Sequence, residues 1–177
     1  MFLNAKKTAF LGLLLAVTVI LIVLSGIFDF NTLFLLAGAS FGVGIAIRET
    51  NVKYGAGFYL ASIILSLLLA PNKLYCVTYA AMGFYVVIYE FTYEKLTYVN
   101  HKISRKSLFW MIKYVAFNLM YLPLLIYIPK LFFEGTISTK VILIMILAGQ
   151  IALFIYDRAY QYFQTNLWGK VRKKLLQ

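Results

Sequence analysis

The sequence has very little of the polar chemistry that enzymes and metal sites need. It holds 1 cysteine (Cys76) and 1 histidine (His101), which excludes a disulfide within the chain and any cluster of cysteine or histidine metal ligands. The chain has no G-x-x-x-x-G-K-[ST] phosphate-binding loop and no H-E-x-x-H motif. Its 6 acidic residues form no cluster that would hold Mg²⁺ for phosphoryl transfer. We therefore expect no catalytic residues, metal site or cofactor.

Charge is also scarce, and hydrophobic residues take its place. Of 177 residues, 13% are charged and 63% are hydrophobic, whereas soluble proteins have about 25% charged and roughly 45–50% apolar residues. This composition predicts an integral membrane protein. The net charge of +11 would suggest nucleic acid as a partner in a soluble protein, but here the basic residues must first be placed relative to the membrane.

Six apolar runs are long enough to cross a bilayer, which takes about 20 residues within a range of roughly 17–25. They lack the period-two alternation of membrane strands, so each is predicted to be a helix. The fold class is thus an all-α bundle of six transmembrane helices, and the predicted spans are 8–28, 31–47, 54–70, 75–92, 107–128 and 138–157. We expect one transmembrane domain over residues 1–158 and a cytoplasmic tail over 159–177.

The distribution of Lys and Arg predicts the orientation. With the N-terminus inside, only Lys73, Lys130 and Lys140 of the 17 basic residues fall outside. Because basic residues concentrate in cytoplasmic segments, both termini are expected in the cytoplasm, with the chain in the plasma membrane. The positive charge is then mostly a signal of topology, and we expect no nucleic-acid partner.

The first span begins KKTAFLGLLLA over residues 6–16, which raises the alternative of a cleaved signal peptide. A signal core has about 7–15 apolar residues, and this run is longer, so an uncleaved helix is favoured. Close packing of small residues drives helix association in lipid. Ala9, Gly12 and Ala16 lie on one face, which either packs within the chain or binds a partner. Helix 2 carries Gly38, Gly42 and Ala46, which we expect to pack within the chain.

Polar side chains are rare within the spans, and each needs a reason because it is costly to bury unpaired. Three regions, in the first outer loop, at the start of helix 4 and in helices 5 and 6, are expected to converge on an outward-facing pocket. Their candidate ligand-binding residues are Asp29, Asn31, Asn72, Tyr75, Tyr79, Asn118, Tyr121 and Gln150. The alternative is that Asn118 and Gln150 join helices and that the tyrosines lie at the headgroup level.

Charges near the predicted cytoplasmic ends of the helices are expected to pair locally, Asp157 with Arg158 and the glutamates Glu90 and Glu94 with Lys95. Beyond them, apolar residues recur at helical spacing along the tail from Tyr160 to Leu175, opposite lysines and arginine. This pattern is typical of a basic amphipathic helix on the membrane surface. Docking on a cytoplasmic protein is the alternative.

Taken together, these features resemble the substrate-binding S components of energy-coupling factor (ECF) transporters. The resemblance lies in the length, the six spans, the two inside termini, and the basic pair Lys6-Lys7 followed by the small-xxx-small motif from Gly12 to Ala16. The family's usual motif is Ala-x-x-x-Ala, from which Gly12 departs. No ligand-reading motif of a vitamin-specific member is present.

The resemblance implies a bacterial subunit that captures a vitamin or related micronutrient in a pocket of outer loops and helices 4–6. Its implied partners are a transmembrane T component, contacted through the small residues of helix 1, and two cytoplasmic ATPase subunits. A different reading of the same residues is a non-transporting membrane scaffold or assembly subunit that binds other membrane proteins through its small-residue faces.

Overall fold

The computed structural model describes residues 5–97, 105–132 and 138–175, and every regular element within them is a helix. Six of these helices are long and apolar enough to cross a membrane, as the sequence predicts. They are α1 (Ala5–Ser25), α2 (Thr32–Glu49), α3 (Val52–Leu69), α4 (Lys73–Thr97), α5 (Arg105–Phe132) and α6 (Thr139–Tyr162). The positions of the termini relative to a membrane stay a prediction.

The chain forms two compact units, Met1–Asn100 and His101–Gln177. The first contains α1 to α4 and the second contains α5, α6 and the segment that follows. The predicted boundary after residue 158 is of another kind, because it separates a spanning part from a surface part, and it stays a prediction.

Helix α2 is the centre of the first unit. It packs against α1, α3 and α4, and every residue from 39 to 47 is buried. Its glycines permit this, as Gly42 shows: a Cβ atom there would lie 2.7 Å from Oγ1 of Thr18 on α1. The prediction that the small residues of helix 2 pack within the chain is confirmed at this position.

Helices α3 and α4 are joined by hydroxyl groups on their facing sides. The Tyr59 hydroxyl donates to the carbonyl oxygen of Ala80 (2.6 Å), and the hydroxyls of Ser62 and Tyr79 lie 2.6 Å apart. Ser62 also donates to the carbonyl oxygen of Tyr59 (2.7 Å). With no water in the bilayer interior, such contacts satisfy polar groups that would otherwise be costly to bury.

In the second unit α5 and α6 run antiparallel, since residues that ascend along α5 contact residues that descend along α6. Trp110 stacks on Phe154 with ring centroids 6.3 Å apart, and the Tyr121 hydroxyl reaches the carbonyl oxygen of Met145 (2.6 Å). Beyond α6 the chain continues as a π-helical segment, Phe163–Trp168, and a last helix α7, Gly169–Leu175. The predicted helical extension of helix 6 is therefore present over the described residues.

Candidate functional site: polar contacts between α5 and α6

Three polar contacts follow one another along the interface of α5 and α6. Lys113 pairs with Asp157, Asn118 with Gln150, and Tyr121 with the backbone of Met145. From Lys113 to Tyr121 the helix rises about 12 Å. We call these contacts the α5–α6 polar ladder.

The first rung is an ion pair closed off from solvent. Nζ of Lys113 lies 2.6 Å from Oδ1 of Asp157, and both side chains are 0% exposed. The second carboxylate oxygen accepts a hydrogen bond from Nε2 of Gln161 (2.8 Å). The ammonium also lies over the rings of Phe109 and Trp110, 4.4 and 4.1 Å from their centroids, where the electron-rich ring faces attract a cation.

Sequence reasoning missed this pair and its counterpart in the first unit. The sequence predicts that Asp157 pairs with its neighbour Arg158, whereas in the structure Asp157 forms an ion pair with Lys113 of α5. In the first unit Glu90 likewise accepts from Arg48 of α2, with Nη2 and Oε1 2.7 Å apart. The only signal in the sequence was a lysine eight residues inside an apolar helix, which requires a buried partner.

The second contact of the ladder leaves one hydrogen-bond acceptor without a partner among the described residues. Nδ2 of Asn118 donates to the carbonyl oxygen of Tyr114 (2.9 Å), and a carbonyl can only accept, so the Asn118 amide has one orientation. Its Oδ1 must then accept from Nε2 of Gln150, at 2.9 Å. Oε1 of Gln150 is consequently buried with no hydrogen-bond partner among the described residues.

At the third contact of the ladder, the Tyr121 ring of α5 lies against α6, the helix that carries Gln150. The Tyr121 ring stacks on Phe117 with centroids 5.0 Å apart and planes 18° apart. Gly149, the residue before Gln150, faces the Tyr121 ring so closely that a Cβ atom would lie 2.6 Å from the hydroxyl oxygen. The predicted candidates Asn118, Tyr121 and Gln150 therefore lie together, and the first and third are bonded to each other.

The candidates in the first unit lie around one end of its helices. Asp29 belongs to the short 3₁₀ helix Asp29–Asn31 between α1 and α2, and Asn31 is exposed. Asn72 accepts a hydrogen bond from the backbone of Leu74 (3.0 Å), which orders the start of α4. Tyr75 lies 3.6 Å from where a Cβ on Gly26 would be, so the two connections meet at this end.

Tyr79 is set deeper than these residues and is 0% exposed. Its hydroxyl is engaged by Ser62, and its ring is tilted against that of Tyr59 with centroids 6.4 Å apart. In the structure its contacts are therefore those of a residue that joins α3 to α4. Because these candidates and the polar ladder belong to different units, their convergence on one pocket stays a prediction.

The small-residue face of helix 1 is not covered by the described residues of the first unit. Ala9, Gly12 and Ala16 are all exposed, and a Cβ atom on Gly12 would meet no atom within 4 Å among the described residues. At Gly42 on α2, by contrast, Thr18 of α1 occupies the space that a Cβ atom would need. Packing within the described part of the chain does not account for these three residues.

Comparison of the chain with protein-family models, with characterised proteins and with solved structures gives no match.

Proposed function

We propose that this chain is a membrane-embedded substrate-binding subunit, an S component of an ECF-type transporter. It would capture a vitamin or related micronutrient from outside for uptake driven by partner ATPases. The observation that carries the proposal is the unsatisfied Oε1 of Gln150 within the α5–α6 polar ladder. A buried acceptor without a partner costs about 1–3 kcal/mol, and a bound ligand would remove that cost.

The geometry of the ladder sets the chemistry of such a ligand. Oε1 of Gln150 is a hydrogen-bond acceptor, so the ligand must present an N–H or O–H group to it. The stacked rings of Phe117 and Tyr121 lie on the same helix interface and favour a planar apolar or aromatic portion. A small molecule with a flat ring and a donor group fits both features.

Replacing Gln150 by alanine is expected to weaken ligand affinity about tenfold, because one hydrogen bond of roughly 1.4 kcal/mol is lost, and to lower ligand occupancy accordingly when the ligand is not saturating. Native mass spectrometry of the gently purified protein would measure the fraction that carries a small-molecule adduct and would give the adduct's mass. Asn118→Ala should act in the same direction, because Asn118 fixes the Gln150 amide. Interhelical hydrogen bonds contribute about 0.6 kcal/mol to membrane-protein stability. The free energy of unfolding should therefore change less than the free energy of ligand binding.

Gln164→Ala is a matched control for this experiment. Gln164 is a second buried glutamine of the same unit whose Oε1 has no hydrogen-bond partner in the described part of the chain, and it lies outside the polar ladder. It should leave occupancy unchanged. Ligand binding at Gln150 would be contradicted if the wild-type protein carried no adduct. It would also be contradicted if the Gln150, Asn118 and Gln164 variants all had the same ligand occupancy.

The second support for the proposal is the open face of α1, which suits a transmembrane partner. Introducing Gly12→Leu together with Ala16→Leu is expected to abolish copurification of a T component and its two ATPases, since bulky side chains prevent the close approach of helices. The measurement is affinity purification of the tagged chain from its native membrane, followed by identification of the subunits it retains.

Gly57→Leu supplies the control for added bulk. Gly57 on α3 is exposed, and a Cβ atom there also meets nothing within 4 Å among the described residues. The Gly57 variant should keep its partners. Full assembly of the Gly12/Ala16 double variant would refute the role of α1.

The open face of α1 also favours the second candidate function, a membrane scaffold or assembly subunit. The two functions differ at Gln150, because a scaffold needs no ligand there. Retention of membrane partners other than a T component and ATPases, without a small-molecule adduct, would decide for the scaffold.

A further inference from the structure

The tail beyond α6 carries a surface that neither the polar ladder nor the face of α1 uses. On α6 and the π-helical segment a buried stripe repeats every three or four residues, through Gly149, Leu153, Asp157, Tyr160 and Gln164. Continued at the α-helical repeat, this stripe would next include Leu167 or Trp168, and then Val171. The sequence likewise predicts one continuous apolar face from Tyr160 to Leu175.

The structure ends the buried stripe at the π-helical segment, Phe163–Trp168. A π-helix closes its hydrogen bonds over five residues instead of four, so it has more residues in each turn. The residues near its end and after it are consequently rotated off the original face. Leu167 is accordingly 51% exposed and Val171 is 44% exposed. Two apolar side chains that an uninterrupted α-helix would direct toward the buried stripe are presented outward.

Basic residues lie close to these two residues in the sequence. Lys170 and Arg172 are exposed on either side of Val171, and Lys173 and Lys174 follow in the sequence. No acidic residue occurs after Asp157, so this segment has a concentrated positive charge. A binding surface of this kind is complementary to a partner that is both anionic and able to accept apolar side chains.

The length of the helix places this surface at the membrane. The apolar helical stretch Thr139–Arg172 has 34 residues and is about 51 Å long. A bilayer is about 30 Å thick in its hydrocarbon core and roughly 40–45 Å thick with its headgroups. A perpendicular helix of this length would overshoot the bilayer, but a tilt of about 30°, within the usual range for membrane helices, brings Leu167 to Arg172 to the headgroups on the side opposite Thr139.

We propose that the π-helical segment turns this surface toward the bilayer, where Leu167 and Val171 enter the interface and the basic residues bind the phosphates of anionic phospholipids. The change of helical phase in the π-helical segment directs the lipid-binding face away from the buried stripe. This proposal is independent of the substrate and of the partner subunits.

The test uses the full chain in nanodiscs, with a spin label on Val171→Cys. Cys76 is buried and can stay in place, with the unsubstituted chain as the labelling blank. In discs of phosphatidylglycerol and phosphatidylcholine the label should be accessible to oxygen and protected from a water-soluble nickel chelate. In pure phosphatidylcholine, protection should be lost. Lys170→Gln and Arg172→Gln should lower the ratio of immersed to water-exposed label roughly fivefold for each charge removed.

Lys6→Gln with Lys7→Gln is the control, because it removes the same charge from exposed residues of α1 and should leave the label unaffected. Equal protection in the two lipid mixtures would overturn the proposal, and so would an equal effect of the control variant. Protection that occurs in native membrane vesicles and in neither kind of nanodisc would assign the surface to a protein partner, which also overturns it.

Discussion

Asp157→Asn is expected to lower the free energy of unfolding by about 3–5 kcal/mol, the cost of leaving one charge of a buried ion pair without its partner. The reason is the position of Lys113, whose side chain is 0% exposed and whose ammonium lies 2.6 Å from the Asp157 carboxylate. Asparagine keeps the size of the side chain and can still accept from Gln161, but it removes the negative charge. The rings of Phe109 and Trp110 offset only part of that loss, since cation–π contacts contribute roughly 0.5–2 kcal/mol.

The double variant Lys113→Met with Asp157→Asn distinguishes this cause from a general loss of packing. Replacing both charges by uncharged groups of similar volume is often neutral, so the double variant should recover most of the stability. Glu94→Gln removes an exposed acidic charge and should stay within about 0.5 kcal/mol of the wild type. Titration with dodecyl sulfate in mixed micelles would measure all three. A double variant as unstable as the single one would show that the charge is not the cause.

Gly55→Ala is expected to destabilise the first unit by about 1–3 kcal/mol, the usual cost of overpacking. A Cβ atom at Gly55 would lie 2.9 Å from the backbone Cα of Ile47 and would also collide with its side chain. The helices cannot separate to make room, because only Thr50 and Asn51 connect α2 to α3. Asn51 also holds the start of α3 through a hydrogen bond from the Tyr54 backbone N–H to its Oδ1 (3.0 Å).

Gly57→Ala, two residues along the same helix, should have the opposite sign. A Cβ atom there meets nothing within 4 Å among the described residues, and alanine favours a helix over glycine by up to about 1 kcal/mol. The same dodecyl sulfate titration compares the two variants directly. Equal stability of the two variants would mean that contact with Ile47 does not limit the approach of α2 and α3.

Hydropathy was sufficient to predict the six helices, because a continuous apolar run is a local property of the sequence. The packing of Gly42 was predictable for a similar reason, since small residues at intervals of four mark a helix contact. The partner of each charge was not predictable. Lys113 and Asp157 are 44 residues apart, and only the antiparallel placement of two helices brings them together.

The π-helical segment could not be predicted from the sequence either. The apolar spacing from Tyr160 to Leu175 suits an unbroken α-helix, and the local sequence contains no proline or glycine between Tyr160 and Trp168 that would signal a change. The sequence allows two interpretations of Asn118 and Gln150, a contact that joins helices or a ligand site, and it does not reveal that one hydrogen-bond acceptor of Gln150 stays available. In the structure they make the interhelical contact, and one oxygen still has no hydrogen-bond partner among the residues that the structure describes.

The short length of α2 and α3 has a consequence for the surrounding lipid. Each has 18 residues and is therefore about 27 Å long, which is less than the roughly 30 Å hydrocarbon thickness of a typical bilayer. Hydrophobic mismatch of this sign is relieved when acyl chains next to the protein compress, at a cost of a fraction of a kcal/mol for each Å. Helix α2 is buried over residues 39–47, so the mismatch acts at α3, whose outer side chains are exposed, and around α3 we expect the bilayer to be locally drawn in.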